Sequence, residues 1–311
     1  MPPRKSSISP PPLEWQPDLK TARIGALQEN RYVIAKPGFA AVLNYDANIS
    51  HNRSGNGTQG VFGEMRLSTP WGYLNHTQFA NRSRNKESGS RGNTARLDTY
   101  WRTVWPEQGI SLTVGDTLTG QIGSCGGTRI GGIKISRTYN TRPWKQTAPL
   151  RSYLGKSTLP GTVDLYLDGV KQMSRDIEAG EYELILPPSI SGRSNAQVVA
   201  TDVLGRTVVV DMPLYGGSGL LAKGLNEWSF EAGYVRRDYG IRSAKYQSDP
   251  AASGTLRYGI SNTLTAQIHG EAARGYRQAG IAADTVLGSL GQLNLNYAES
   301  RFAGKTGRRG S

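Results

Sequence analysis

The sequence predicts an all-β protein, and the main evidence is that apolar residues recur at every second position. In Gly38–Ser50 the odd-numbered positions from Phe39 to Ile49 are apolar, whereas the even-numbered ones become polar from Asn44 onwards. In Thr255–His269 six of the seven even-numbered positions are apolar and none of the eight odd-numbered ones is. A period of two is the signature of strands with one apolar face. No helical period of comparable length competes with it.

The remaining strands are predicted from weaker alternation and from the turns between them. The alternation recurs at Val61–Leu67, Arg96–Trp105, Ser111–Thr119, Trp228–Val235 and Leu293–Tyr297. Turn-forming clusters at 52–60 and 81–93 separate several of these segments. The two longest segments reach the 9–11 residues or so that a strand needs to cross a bilayer.

A stretch from about 146 to 214 has a different pattern. It contains short apolar runs at Val163–Leu167, Leu184–Leu186, Val198–Ala200 and Val208–Val210. Short apolar runs separated by turn residues are typical of a small sandwich with its own core. The sequence therefore predicts a compact domain inserted between two blocks of longer strands.

Composition and charge exclude several classes of protein. The 311 residues include 37 Lys+Arg and 24 Asp+Glu, a net charge of +13, and a single cysteine. One cysteine excludes an intrachain disulfide framework and a multi-cysteine metal site. The basic residues are dispersed, so we expect no nucleic-acid binding. No window approaches the 18 or so apolar residues of a transmembrane helix, and the N-terminus lacks the apolar region of a secretory signal.

The residues that most often carry chemistry show no catalytic or metal-binding spacing. His51, His76 and His269 are far apart, and Cys125 lacks the local signature of a cysteine nucleophile. We therefore expect no catalytic residue, no metal site, no cofactor and no small-molecule substrate.

The segments LPGTVDLYLDGVKQMSRDIEAGEYELILPPSISGRSNAQVVATDVLGR (159–206) and PLYGGSGLLAKGLNEWSFEAGYVRRDYGIRSAKY (213–246) resemble a known family. They are similar to the outer-membrane ushers of chaperone–usher pilus assembly, of the archaic or spore-coat-like fimbrial type. GFAAVLNYDANIS (38–50) and TARLDTYWRTVW (94–105) look like the first barrel strands of the same family. The resemblance runs in order over about residues 37–300.

The resemblance implies a partial transmembrane antiparallel β-barrel with an inserted small β-sandwich plug domain, and we expect the chain to be a fragment of such a protein. The expected segments are a Pro-rich irregular N-terminus (1–36), first barrel strands (37–145), the plug (146–214), further barrel strands (215–302) and a disordered tail (303–311). Within the plug, Gly169, Gly180, Gly192, Asp202 and Gly205 are expected to form structural turns.

The function that the resemblance implies is secretion and assembly, without enzymatic chemistry. An intact family member binds periplasmic chaperone–pilus subunit complexes, secretes subunits through a plug-gated barrel and serves as the assembly platform of the fimbria. The expected surroundings are outer-membrane lipid, and the expected location is the outer membrane. The alternatives are a soluble β-rich carbohydrate- or protein-binding module and, less favoured, a diffusion porin.

Overall fold

The described part of the chain is almost entirely β-structure. The computed structural model describes residues 22–25, 37–52, 56–85, 89–123, 125–142, 145–186, 192–216, 219–288 and 290–311. No helix within these ranges is long and apolar enough to cross a membrane. The strands are β1 (Ala22–Gly25), β2 (Ala40–His51), β3 (Gly57–Thr69), β4 (Gly72–Asn85), β5 (Gly89–Trp105), β6 (Ile110–Leu118), β7 (Arg129–Arg137), β8 (Ser152–Ser157), β9 (Gly161–Leu167), β10 (Val170–Ile177), β11 (Gly180–Ile185), β12 (Gly192–Asp202), β13 (Thr207–Gly216), β14 (Asn226–Arg236), β15 (Tyr246–Ser261), β16 (Leu264–Ala273), β17 (Tyr276–Val286), β18 (Gln292–Phe302) and β19 (Lys305–Gly310). A 3-10 turn, Tyr139–Thr141, follows β7. The prediction of an all-β chain is confirmed.

Twelve of the strands form one antiparallel sheet, called the large sheet below. Its order is β19-β18-β17-β16-β15-β14-β7-β6-β5-β4-β3-β2. The chain leaves the sheet after β7 and returns as β14, which pairs with β7 from Trp228 opposite Arg137 to Val235 opposite Ile130. The ladder therefore continues across the insertion. Among the described residues, β2 and β19 each have a strand partner on one side.

The two faces of the large sheet have the reverse of the usual polarity. On β14, Phe230 is 58% exposed, whereas its neighbours Ser229 and Glu231 are buried. Ile133 and Ile281, on β7 and β17, are 54% and 60% exposed. A sheet of a water-soluble protein packs its apolar face on a core and leaves its polar face in water. The large sheet does the opposite.

The inserted strands form a separate unit with a conventional apolar core. Contacts group β8–β13 with β1, apart from the strands of the large sheet. One sheet has the order β10-β9-β12-β13 and the other β1-β11-β8. The core contains Val163, Leu165, Ile177, Tyr182, Leu184, Leu186, Ala196, Val198 and Leu214. This is the small sandwich that the short apolar runs predicted.

Several sequence-based predictions differ from the structure. The predicted turn cluster 81–93 is largely strand, because β4 extends to Asn85 and β5 begins at Gly89. Thr255–His269 is not one strand, because β15 ends at Ser261 and β16 begins at Leu264. The tail 303–311 is not disordered: Ala303 and Gly304 both have positive φ and form the turn into β19, whose backbone pairs with β18. The N-terminal segment 1–36 contains β1, which pairs in parallel with β11. The rest of that segment lies outside the described residues. Strands β19 and β1 are ordered by backbone hydrogen bonds to neighbouring strands, so the apolar pattern of the sequence does not reveal them.

Glycines allow β7 and β14 to approach closely where the insertion interrupts the chain. Gly132 and Gly233 are directly opposite each other. A Cβ on Gly233 would lie 2.3 Å from the carbonyl oxygen of Gly131, which is backbone and cannot move aside cheaply.

We expect Gly233→Ala to lower the free energy of unfolding by about 1–3 kcal/mol, the usual cost of overpacking. Urea unfolding of the chain refolded in detergent micelles measures this change. The matched control is Gly270→Ala on β16, where the nearest atom to the new Cβ is 4.0 Å away. A Gly233→Ala variant as stable as the control would contradict the role of this close approach.

Candidate functional site

The face of the large sheet opposite Ile133 and Phe230, called the polar face below, carries buried polar and charged side chains. Among the described residues these are Asn75, Thr113, Ser136, Ser229, Glu231, Ser253, Thr255, Thr265, His269 and Asp284. Asp116 and Arg236 are also buried, but the register places them on the other face, because Asp116 is opposite Gly131 and Arg236 follows Val235, the partner of Ile130. Two loops contact these buried groups. One connects β6 to β7 (119–128, with Ser124 outside the described residues) and is called the crossing loop; the other connects β14 to β15 (237–245).

Arg236 is the centre of the first charged cluster. Its guanidinium is fully buried, and Nη1 lies 3.2 Å from Oδ1 of Asp116. Nη2 donates to the carbonyl oxygens of Arg96 at 2.8 Å and Ser243 at 3.0 Å. Arg96 contributes a second cation to the same carboxylate, because its Nη1 lies 2.7 Å from Oδ2 of Asp116. The cluster therefore joins β5, β6 and β14 to the loop 237–245.

The same loop is held further along by Tyr239. Its hydroxyl donates to Oδ2 of Asp98 at 2.8 Å, and the guanidinium of Arg129 lies 3.7 Å from the centre of its ring. Burial, together with the hydrogen bond to Asp98, raises the pKa of Tyr239 to about 12. The phenol therefore remains a neutral donor at any physiological pH.

A second charged cluster holds the crossing loop on the polar face. Oε1 of Glu231 accepts the backbone N–H of Gly120 at 3.1 Å and lies 3.0 Å from Nζ of Lys134. The hydroxyl of Thr119 donates to Oε1 of Glu271 on β16 at 3.2 Å. Because these partners lie on β7, β14 and β16, the loop extends over several strands.

The tip of the crossing loop makes an apolar contact. Ile122 and Cys125 are buried against Ala282 on β17 and Ala298 on β18. Gly280 leaves room for the thiol, since a Cβ there would lie 2.6 Å from its Sγ. Cys125 thus has a packing role, and its burial raises the pKa of the loop thiol, which reduces its reactivity.

His269 has a polar neighbour at each of its two ring nitrogens. It is buried, with Nδ1 2.8 Å from the hydroxyl of Thr255 and Nε2 3.4 Å from Oε1 of Glu271. Among the described residues no group of three or more His, Cys, Asp or Glu side chains could hold a metal ion. Charges that are paired in this way are compatible with a hydrated protein interior, and the pairs hold the loops in a fixed arrangement.

The predicted turn glycines are distributed over the inserted sandwich and do not converge on one place. Gly169, Gly180 and Gly205 have φ of +81°, +138° and +80°, angles that a side chain disfavours. Gly192 is the first residue of β12, in the ladder opposite Gly216. Asp168, which forms with Gly169 the Asp-Gly pair that predicts a tight hairpin, has φ of +48°, and its carboxylate accepts the N–H of Asn195.

Asp202 closes the turn between β12 and β13. Its Oδ1 accepts the backbone N–H groups of Leu204 at 2.9 Å and Arg206 at 3.0 Å, and its Oδ2 accepts the Arg206 guanidinium at 2.7 Å. Burial opposes the ionised form. The hydrogen bonds from the Arg206 backbone and side chain and from the Leu204 backbone outweigh it, so the pKa of Asp202 lies below its usual value.

Comparison with known proteins gives similarity in structure. No protein-family model and no curated protein matches the chain. Two structures of the PapC usher translocation pore cover 87% and 86% of this chain, with TM-scores of 0.49 and 0.47 and identities of 15% and 19%. The cryo-EM structure of the E. coli P pilus tip assembly intermediate PapC–PapD–PapK–PapG covers 90% of this chain, with a TM-score of 0.54 and 17% identity. The chain has the fold of part of the usher PapC.

The usher fold accounts for both the large sheet and the inserted sandwich. It confirms the predicted fold class, a partial transmembrane antiparallel barrel with an inserted sandwich. The chain spans 58% and 55% of the two pore structures and 35% of the matched chain in the assembly intermediate. The fimbrial type stays a prediction, because identities this low concern the fold alone.

We expect Arg236→Met to destabilise the loop 237–245 strongly. Loss of one partner from a buried ion pair typically costs about 3–5 kcal/mol. Faster limited proteolysis of the loop, together with a lower urea midpoint, would show the effect. Lys245→Met is the matched control, because the Lys245–Asp238 pair is largely exposed and such pairs contribute about 0–1 kcal/mol. Equal proteolysis rates for the two variants would contradict the anchoring role of Arg236.

We expect the Asp202 turn to weaken in acid. A carboxyl whose folded pKa is depressed stabilises the fold above its unfolded pKa of about 3.9 and loses this effect as the pH falls through the folded value. The hydrogen-exchange protection factors of β12 and β13 amides in the full chain should therefore fall below about pH 4. Asp202→Asn keeps an acceptor for the two N–H groups and should remove this part of the pH dependence, whereas Asp202→Ala should accelerate exchange at every pH.

Proposed function

We propose that the chain is part of a pilus usher in the outer membrane, where it contributes strands to the secretion pore. The observation that carries this proposal is the reversed polarity of the large sheet within a usher fold. Many exposed side chains of one face, such as Phe230 and Ile281, are apolar, while Glu231 and Asp284 on the other face are buried. Lipid is the solvent in which that arrangement is stable.

The main alternative, a soluble β-rich binding module, is disfavoured by the same observation. Such a module would leave many aliphatic and aromatic side chains of the large sheet in water. Exposed apolar patches beyond a few hundred Å² are rare on soluble monomers. The apolar face here extends over strands from β2 to β18, as the exposure of Leu43, Ile133, Ile268 and Leu295 illustrates.

The proposed substrates are pilus subunits delivered by a periplasmic chaperone. Support comes from the fold shared with PapC, which in the P pilus intermediate is assembled with PapD, PapK and PapG. The polar face would line the passage. Its charges are paired with each other and with backbone groups, so a translocating subunit would meet few unsatisfied charges. Transport of this kind needs no nucleophile, metal or cofactor.

The inserted sandwich is proposed to act as the plug, with limits at about 146 and 214. It is connected in the chain between β7 and β14, and its nine-residue apolar core is formed by its own strands. A domain with its own core can change position without exposing apolar surface of the pore.

Two measurements test the proposed function. Fractionation of bacteria that express the chain should recover it with outer-membrane proteins, in a form that requires detergent for extraction; recovery in the soluble fraction would exclude the pore. In planar bilayers, a pore containing this chain should conduct more when residues 146–214 are deleted. Unchanged conductance would remove the plug assignment but leave the membrane location intact.

A further inference from the structure

Two arginines lie directly opposite each other on the exposed face of the large sheet. Arg277 on β17 pairs in register with Arg301 on β18. They share this face with Ile281 and Tyr297, as the alternation along each strand requires. Like charges that face each other across strands are destabilising. The pair therefore needs a nearby anion, or it lowers the stability of the ladder.

The carboxylates around this pair are engaged elsewhere. Glu299 forms an ion pair with Arg308 at 3.0 Å, and Asp249 forms one with Arg274 at 3.2 Å. Among the described residues, neither Arg277 nor Arg301 has an ion-pair partner. The chain thus presents two guanidinium groups next to one carboxylate, Glu299, which is already paired with Arg308.

A groove begins at the arginines and continues along the apolar face. It has a volume of about 610 Å³ and is lined by both arginines and by two carboxylates that have other partners, Glu299 with Arg308 and Glu271 with the Thr119 hydroxyl. Small side chains at Ala252, Gly254, Gly270 and Ala279 give it depth, and Phe230 forms part of its wall. Larger aliphatic residues at these positions would fill the groove. A cationic head followed by an apolar channel matches an amphiphile with an anionic headgroup.

The position of the arginines fits a membrane interface. They lie near the start of β17 and the end of β18, at the edge of the large sheet opposite Arg137 and Asn226. At the same edge lie the crossing loop and the loop 237–245, whereas the opposite edge has shorter hairpin turns such as 262–263. In outer-membrane barrels the longer loops are extracellular and the turns are periplasmic. The arginines would therefore lie at the headgroup level of the outer leaflet.

We propose that Arg277, Arg301 and the adjoining groove form a binding site for a phosphate-bearing membrane lipid. The two guanidinium groups would hold the phosphate, for which their planar donor geometry is suited. An acyl chain would lie over Ala279 and Gly270 towards Phe230. The inference rests on the proposed membrane location and adds a ligand that the secretion role does not require.

Native mass spectrometry of the full chain refolded in detergent micelles tests the site. The probes are phosphatidic acid and the diacylglycerol with the same acyl chains, which differ only in the phosphate. We expect phosphatidic acid to bind roughly tenfold or more tightly, as charge-assisted Arg–phosphate hydrogen bonds should give. The Arg277→Gln/Arg301→Gln double variant should reduce its affinity to that of diacylglycerol. Arg274→Gln, which removes a nearby arginine already paired with Asp249, should leave it unchanged.

A second variant separates the groove from the charges. Ala279→Leu keeps both arginines and should weaken binding of both lipids by filling the groove. Equal affinity of the two lipids for the unmodified chain would overturn the proposal, and that comparison does not depend on any variant folding. Displacement of phosphatidic acid by millimolar inorganic phosphate would also overturn it, because the site would then be a simple anion site. Binding in micelles does not depend on secretion, so either result can fail without the other.

Discussion

The exclusion of water from one face of the large sheet is the constraint on which the other features depend. Phe230, Ile133 and Ile281 face outward, and in the proposed membrane setting lipid replaces water around them. Their backbone groups must then be satisfied by neighbouring strands, which explains a long antiparallel ladder that continues across the insertion from β7 to β14. Charged residues are then favoured on the polar face or near the strand ends, and where they are buried each charge needs a partner.

The crossing loop and the loop 237–245 supply many of those partners. A buried charge without a counter-ion is too costly to retain, so buried ions occur in pairs with further hydrogen bonds. Asp116 is shared by Arg96 and Arg236, and Glu231 is shared by Lys134 and the N–H of Gly120. Loop backbone atoms complete both clusters. The ion pairs and hydrogen bonds that offset the cost of burying these charges also hold the loops in place. The ordered conformation of the loops therefore follows from the polarity of the sheet.

The sequence predicted the elements in which apolar residues recur periodically, and it missed the features that depend on contacts between strands or distant residues. Alternation revealed the strands, and short apolar runs revealed the sandwich core around Val163 and Leu184. The hairpin at 262–263 was hidden because a two-residue turn preserves the alternation: Leu256 and Ile268 are cross-strand partners on the same face. Strand β19 has no apolar residue, so only its ladder with β18 defines it. The cluster of Arg96, Asp116 and Arg236 joins residues up to 140 positions apart, and no local signal marks it.

Aliphatic residues are buried in the core of the inserted sandwich, and many are exposed in the large sheet. In the inserted sandwich Val163, Leu165 and Leu184 are fully buried, as in a protein surrounded by water. In the large sheet comparable aliphatic residues are exposed. The hydrophobic content of 37% is therefore an average over two units that place their apolar residues in opposite ways. Among the described residues, the sandwich core is made of residues of the inserted segment, so its hydrophobic stability comes from that segment. The plug role proposed for the sandwich would require this property, because a domain that carries its own apolar core can change position without exposing it.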